Sequence, residues 1–102
     1  MKNVIDMRPD DLNITRQILA KHLPSNAIVW VFGSRAKGTA RTFSDLDLMI
    51  DNNHQPLPLT LLTQLLDDFE ESDLPYKVDV VDWNSISDDF RDVVCNDRVI
   101  IS

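Results

Sequence analysis

The chain has one cysteine, two glycines and little positive charge, and each shortage excludes something. A lone Cys95 leaves no partner for a disulfide framework, so nothing requires export. No Cys–His arrangement is evident, so Cys95 reads as a small buried apolar residue rather than a catalytic thiol. The longest apolar runs fall far short of the ~20 residues that a membrane helix needs. The opening Met1-Lys2-Asn3-Val4-Ile5-Asp6 has no apolar signal-peptide core. A cytoplasmic chain without a membrane partner is expected. Ten Lys and Arg stand against 17 Asp and Glu, for a net charge of −7. That balance counts against unaided binding of nucleic-acid duplexes and is compatible with a basic protein partner. His22 and His54 have no His or Cys at ligand spacing, which argues against zinc.

What is present suffices for one core. At 102 residues and 43% apolar content, the chain reads as a single small domain over 1–102 and not as a disordered segment. Pro9-Asp10-Asp11 places a proline and two acids where a helix start favours them. Leu12, Ile18, Leu19 and Leu23 then recur at helical spacing, which predicts a helix over 10–22. Ala27 to Phe32 is a β-branched and aromatic run, hence a strand, with Trp30 in the core. A turn follows at Gly33-Ser34, with a helical turn over 35–37 that Gly38 breaks. A second strand is predicted over 45–51. Leu59, Leu62, Leu65, Leu66 and Phe69 form a core-facing stripe on a helix over 58–72. Lys77 to Asp82 is a third strand. Ser85-x-x-Asp88 resembles a capping pattern ahead of a short helix ending near 95, and 98–101 is a last short strand. The expected fold class is α/β (α+β): one mixed β-sheet packed against helices.

Three features carry chemistry. Gly33 permits a sharp bend and close approach of an anion, and Ser34 adds a hydroxyl. Arg35 and Lys37 bring positive charge. Gly33 and Gly38 have P-loop spacing, but Thr39 stands where the phosphate-holding lysine is required, which excludes that motif. Asp45 and Asp47 are two apart on a strand, so they point to one side with Cα atoms roughly 6–7 Å apart. Two carboxylates at that spacing repel unless a cation lies between them, and they suit a magnesium pair held about 3.5–4 Å apart. Asp79 sits inside the apolar run Val78-Asp79-Val80-Val81, where an unpaired carboxylate is costly. It is preferred as a third ligand. Asp82, at the strand end beside Trp83 and Asn84, is the competitor. Trp83 is read as ordinary packing, and Lys77 is not expected on a phosphate.

Gly33-Ser34, Asp45-Leu46-Asp47 and the later Asp79 together resemble the nucleotidyltransferase superfamily related to DNA polymerase β. The fit is closest to its minimal, stand-alone prokaryotic branch. The resemblance implies a polymerase-β-like fold, two Mg²⁺ ions and a nucleoside triphosphate, with ATP preferred. Carried over, Gly33, Ser34 and Arg35 would hold the nucleotide, while Asp45, Asp47 and Asp79 would be the catalytic metal ligands. It further implies the antitoxin half of a two-gene system whose partner is a small helical HEPN-type protein. The expected activity is transfer of AMP onto a hydroxyl of that partner. The alternative is a non-catalytic module that neutralises the partner by occlusion. A homodimer and a hetero-oligomer both stay open.

Overall fold

A computed structural model describes residues 5–101; the N-terminal expectation therefore lies mostly outside the described residues. The chain runs α1 (Pro9–His22), β1 (Ile28–Phe32), α2 (Ser34–Lys37), β2 (Leu46–Asp51), α3 (Leu59–Glu71), β3 (Val78–Asp82), a 3-10 turn (Trp83–Ser85), α4 (Asp88–Cys95) and β4 (Val99–Ile100). The four strands form one mixed sheet in the order β3-β2-β1-β4. β2 runs antiparallel to β1 and parallel to β3, and β4 closes the other side antiparallel to β1. The expected class, a mixed sheet packed with helices, is the observed one.

Strand periodicity divides the sheet into two faces. Val29 and Val31 of β1, Leu46, Leu48 and Ile50 of β2, and Val78 of β3 point to one side and are buried. Leu19 of α1 and Leu65 and Phe69 of α3 cover them. Of the stripe read from sequence on α3, Leu65 and Phe69 thus line the core, whereas Leu59 and Leu66 are exposed. Truncating a fully buried leucine such as Leu65 to alanine costs about 2–5 kcal/mol. His22 and Lys21, at the end of α1, pair with Asp68 of α3 and tie the two helices together.

The opposite face carries the alternate residues: Trp30 and Phe32 of β1, Asp47 and Met49 of β2, Asp79 and Val81 of β3. Trp30 is half-buried here rather than in the helical core. It packs on Trp83 at 5.5 Å between ring centroids, and the Arg98 guanidinium lies over both rings. Phe32 meets Phe90 of α4 edge-on at 6.3 Å. Cys95, expected buried, is exposed, because α4 turns Val94 inward and leaves its last residue outside. The cap of α4 also differs from the expected Ser85. Ser87 Oγ accepts from the Phe90 amide at 3.2 Å, while Ser85 is drawn into the preceding turn by Asp82. No described helix is long and apolar enough to cross a membrane.

Candidate active site

The site forms at one end of the sheet, on the face that α1 and α3 leave open. The β1–β2 register sets Phe32 opposite Asp47, so the chain leaves β1 beside the first residues of β2. Gly33 then takes φ 74°, ψ −152°, a conformation that side chains oppose. Its bareness is also a packing requirement. A Cβ at Gly33 would stand 2.5 Å from Asp47 Oδ2. The turn and the carboxylate are therefore in direct apposition. Ser34 and Arg35 open α2, and their amides have no intrahelical partner. Gly38 ends α2 with φ 77°, ψ 20°, in open space. Four residues and a left-handed cap are not the long helix of a P-loop, in agreement with the exclusion based on Thr39.

The parallel β2–β3 pairing sets Asp47 directly opposite Asp79. Both lie on the open face. Asp45 comes one residue before β2 begins and is exposed. The Asp47 carboxyl is held above the ordinary aspartate range, first by burial, then by the negative charge of Asp79 and of Asp45. All three influences act in the same direction, so no cation offsets the negative charge at Asp47 itself. Lys77 Nζ lies 3.4 Å from Asp79 Oδ1 at the exposed mouth of β3. Among the described residues no three His, Cys, Asp or Glu side chains are arranged to hold a metal ion. Asp47 and Asp79 share a face and a register, with Asp45 just ahead of β2.

Asp82 has a different environment. Its carboxylate accepts from the Leu57 amide at 2.9 Å, the Asn84 amide at 3.1 Å and Ser85 Oγ at 2.7 Å. These bonds lock the 52–58 loop and the 3-10 turn to the strand end. Asp51 is likewise committed. Burial pushes its carboxyl up, but hydrogen bonds from Asn84 and the His54 amide outweigh that and hold it below the ordinary range.

Arg35 departs from the expectation of a nucleotide contact through its side chain. The guanidinium is buried and donates to the carbonyls of Asp6, Arg41, Thr42 and Ser44, with its plane 3.9 Å from the Tyr76 ring centroid. Five donors in a fixed fork suit this task better than a single phosphate contact. Arg35 folds the 38–45 segment back so that Asp45 reaches the site. Tyr76 in turn donates to Asp11 Oδ2 at 3.1 Å. Nothing in the local sequence signalled this role, because backbone carbonyls leave no residue signature and Asp6 and Tyr76 come from distant segments.

A family model described as "Polymerase beta, Nucleotidyltransferase" matches residues 13–102. The Haemophilus influenzae protein named "Probable protein adenylyltransferase MntA" is 41% identical over 97 residues, spanning 95% of this chain and 83% of its own length. A crystal structure of a mutant form of the toxin-antitoxin MntA-HpeT superposes with a TM-score of 0.70 at 25% identity, covering 86% of this chain and 68% of that one. A structure of tri-AMPylated Shewanella oneidensis HEPN toxin in complex with MNT antitoxin shares the fold, with a TM-score of 0.72 at 21% identity over 94% of this chain and 72% of that one.

Proposed function

The chain belongs to the polymerase beta nucleotidyltransferase family, and on that premise we propose that it transfers AMP from ATP onto a hydroxyl of a HEPN-type partner protein. The observation that carries this reading is the apposition of Gly33, Asp47 and Asp79 at the accessible end of the sheet face opposite α1 and α3. The 41% identical relative, named a protein adenylyltransferase, supports the class of reaction. Its toxin-antitoxin neighbours of the same fold support the class of partner.

Each group then has a task. The amides of Ser34 and Arg35 and the Ser34 hydroxyl hold the triphosphate against the Gly33 turn. Asp45, Asp47 and Asp79 would hold Mg²⁺, and the uncompensated charge around Asp47 fits that role. When bound, the metal neutralises charge on the phosphates and eases ionisation of the attacking hydroxyl. The acceptor oxygen, preferably of a tyrosine, attacks the α-phosphorus in line. A new P–O bond forms, the bond to the bridging oxygen breaks, and pyrophosphate leaves. The acceptor's proton passes to Asp79. Positioning and charge stabilisation supply the rate enhancement.

The test mixes the chain with its HEPN-type partner, α-labelled ATP and Mg²⁺. Label is expected on the partner, and it is lost in Asp45→Asn/Asp47→Asn although the complex still forms. No label with the unaltered chain, or equal label with the double variant, overturns the reading. Neutralisation of the partner by the double variant would instead identify occlusion.

A further inference from the structure

A site that transfers AMP to a partner protein needs a surface that delivers the acceptor. The two edges of the sheet differ in their readiness for this. β4 spans only two residues, whereas β3 presents five. Natural edge strands are commonly blunted by proline, a bulge, charge or short length, and of these β3 carries only charge, at Asp79 and Asp82, with Lys77 just ahead of it. Val78-Asp79-Val80-Val81 contains no proline and pairs with β2 in unbroken register. The Leu46 amide donates to the Lys77 carbonyl, which fixes the alternation along β3. In a parallel ladder alternate residues bond to the neighbouring strand, so the amides and carbonyls of Val78 and Val80 face away from β2.

Alongside this edge runs a groove of about 420 Å³. Leu66, Phe69, Leu74 and Tyr76 give it an apolar wall, and Asp79 stands at its border. Leu66 is 37% exposed there. Glu70 and Lys77 form a charged rim. Asp79 thus belongs both to the border of the groove and to the reaction centre.

We propose that the β3 edge is the docking strand for the acceptor: an extended segment of the partner protein pairs with Val78 and Val80 and seats an apolar side chain in the groove. The proposal rests on the transferase reading above. Strand geometry gives it a sequence consequence. A residue set opposite Asp79 on the added strand, about 4.8 Å away, turns its side chain to the open face where Asp79 lies. The residues on either side of it turn theirs toward α3 and the groove. The modified hydroxyl is thus flanked directly by an apolar residue. Backbone pairing gives affinity, and the alternate side-chain pockets give specificity.

The test measures AMP transfer to the HEPN-type partner by Val80→Pro and, separately, Leu66→Asp. Proline at an outward-facing edge position removes only a free amide, and Leu66→Asp keeps a second line of evidence should the proline unsettle the strand. Both are expected to raise the KM for the partner at least about tenfold. ATP binding should stay unchanged. Hydrogen exchange at the Val78 and Val80 amides should slow on adding the partner. Unchanged partner KM in both variants, or unchanged exchange at both amides, overturns the proposal. So does loss of self-association in Val80→Pro with partner KM unaltered, which would assign the edge to a second copy of the chain. If the unaltered chain transfers no AMP, the transferase reading fails, while amide exchange still reports on docking.

Discussion

Replacing Gly33 with alanine separates backbone strain from carboxylate placement, because Gly38 provides an internal control. Both glycines have positive φ, at 74° and 77°. They differ in what an added Cβ would meet: Asp47 Oδ2 at 2.5 Å for Gly33, and nothing within 4 Å for Gly38. At Gly38, ψ is 20°, a left-handed conformation that costs a non-glycine residue about 1–2 kcal/mol. At Gly33, ψ is −152°, in a region almost reserved for glycine, where strain is about 1–3 kcal/mol. For a domain of this size each kcal/mol lowers Tm by roughly 4–8 °C. The two alanine variants are therefore expected to lose similar stability in thermal unfolding. Activity is expected to separate them. The Asp47 carboxylate is the free end of a side chain and rotates away from the new methyl at little energetic cost. It then no longer stands where a metal and phosphate need it, and a displacement of about 1 Å costs on the order of 10²-fold in rate. Gly33→Ala should lose that much AMP transfer while Gly38→Ala retains it. In an Asp47→Ala background the nearest side-chain atom remaining is Cβ, at 3.7 Å, so Gly33→Ala there should cost strain alone. Equal transfer by the two alanine variants, or a Gly33→Ala variant as active as the parent, would refute the argued link between turn and carboxylate.

Three further outcomes are expected. Asp79→Asn should lower transfer by about 10²-fold or more with little change in Tm, whereas Asp82→Asn should cost about 1–3 kcal/mol by disturbing its three donors and leave kcat intact; the reverse pattern would move the third carboxylate to Asp82. Asp47→Asn should raise Tm at neutral pH, because a carboxyl held above its ordinary range destabilises the fold when charged; the gain should vanish in acid, where the carboxyl is protonated in both states, and a drop in neutral Tm would contradict this. Tyr76 is pushed up to about 12 by burial and by the charge of Asp11. The native state keeps its phenol proton while the unfolded chain releases it near its ordinary value of 10.0, so stability should fall between about pH 10 and 12. Since Tyr76 is the single tyrosine, ultraviolet tyrosinate absorbance reports it directly, and Tyr76→Phe should flatten that segment of the stability curve.

The parts of the site legible in sequence were those with a local cause. Gly33 announces a bend because no other residue tolerates it, and Asp45-Leu46-Asp47 announces a shared side because strand periodicity is two. Asp79 was conspicuous as a carboxylate within an apolar run. Asp79 stands opposite Asp47, while Asp82 caps a loop and a turn. The task of the Arg35 side chain was not legible, because charge alone does not tell a phosphate ligand from a scaffold. Its partners, Asp6, Ser44 and Tyr76, lie up to 41 positions away and leave no local trace. Trp30 was assigned to the core because an apolar strand does not say which of its faces the helices cover.

By itself the sequence determined the element order and the bend at Gly33, consequences of backbone sterics and side-chain period within a few residues. Tertiary structure alone decided which face of the sheet stayed open, which strand lay beside β2, and how far the carboxylates closed on one another. Those depend on pairing between segments well separated in sequence. The parallel register sets Asp47 against Asp79, and the antiparallel one presses Gly33 onto Asp47. Strand pairing is set by burial of the whole opposite face, because a slip of one residue would turn every core side chain to solvent. The core thus fixes the active site from behind, through residues that never touch it.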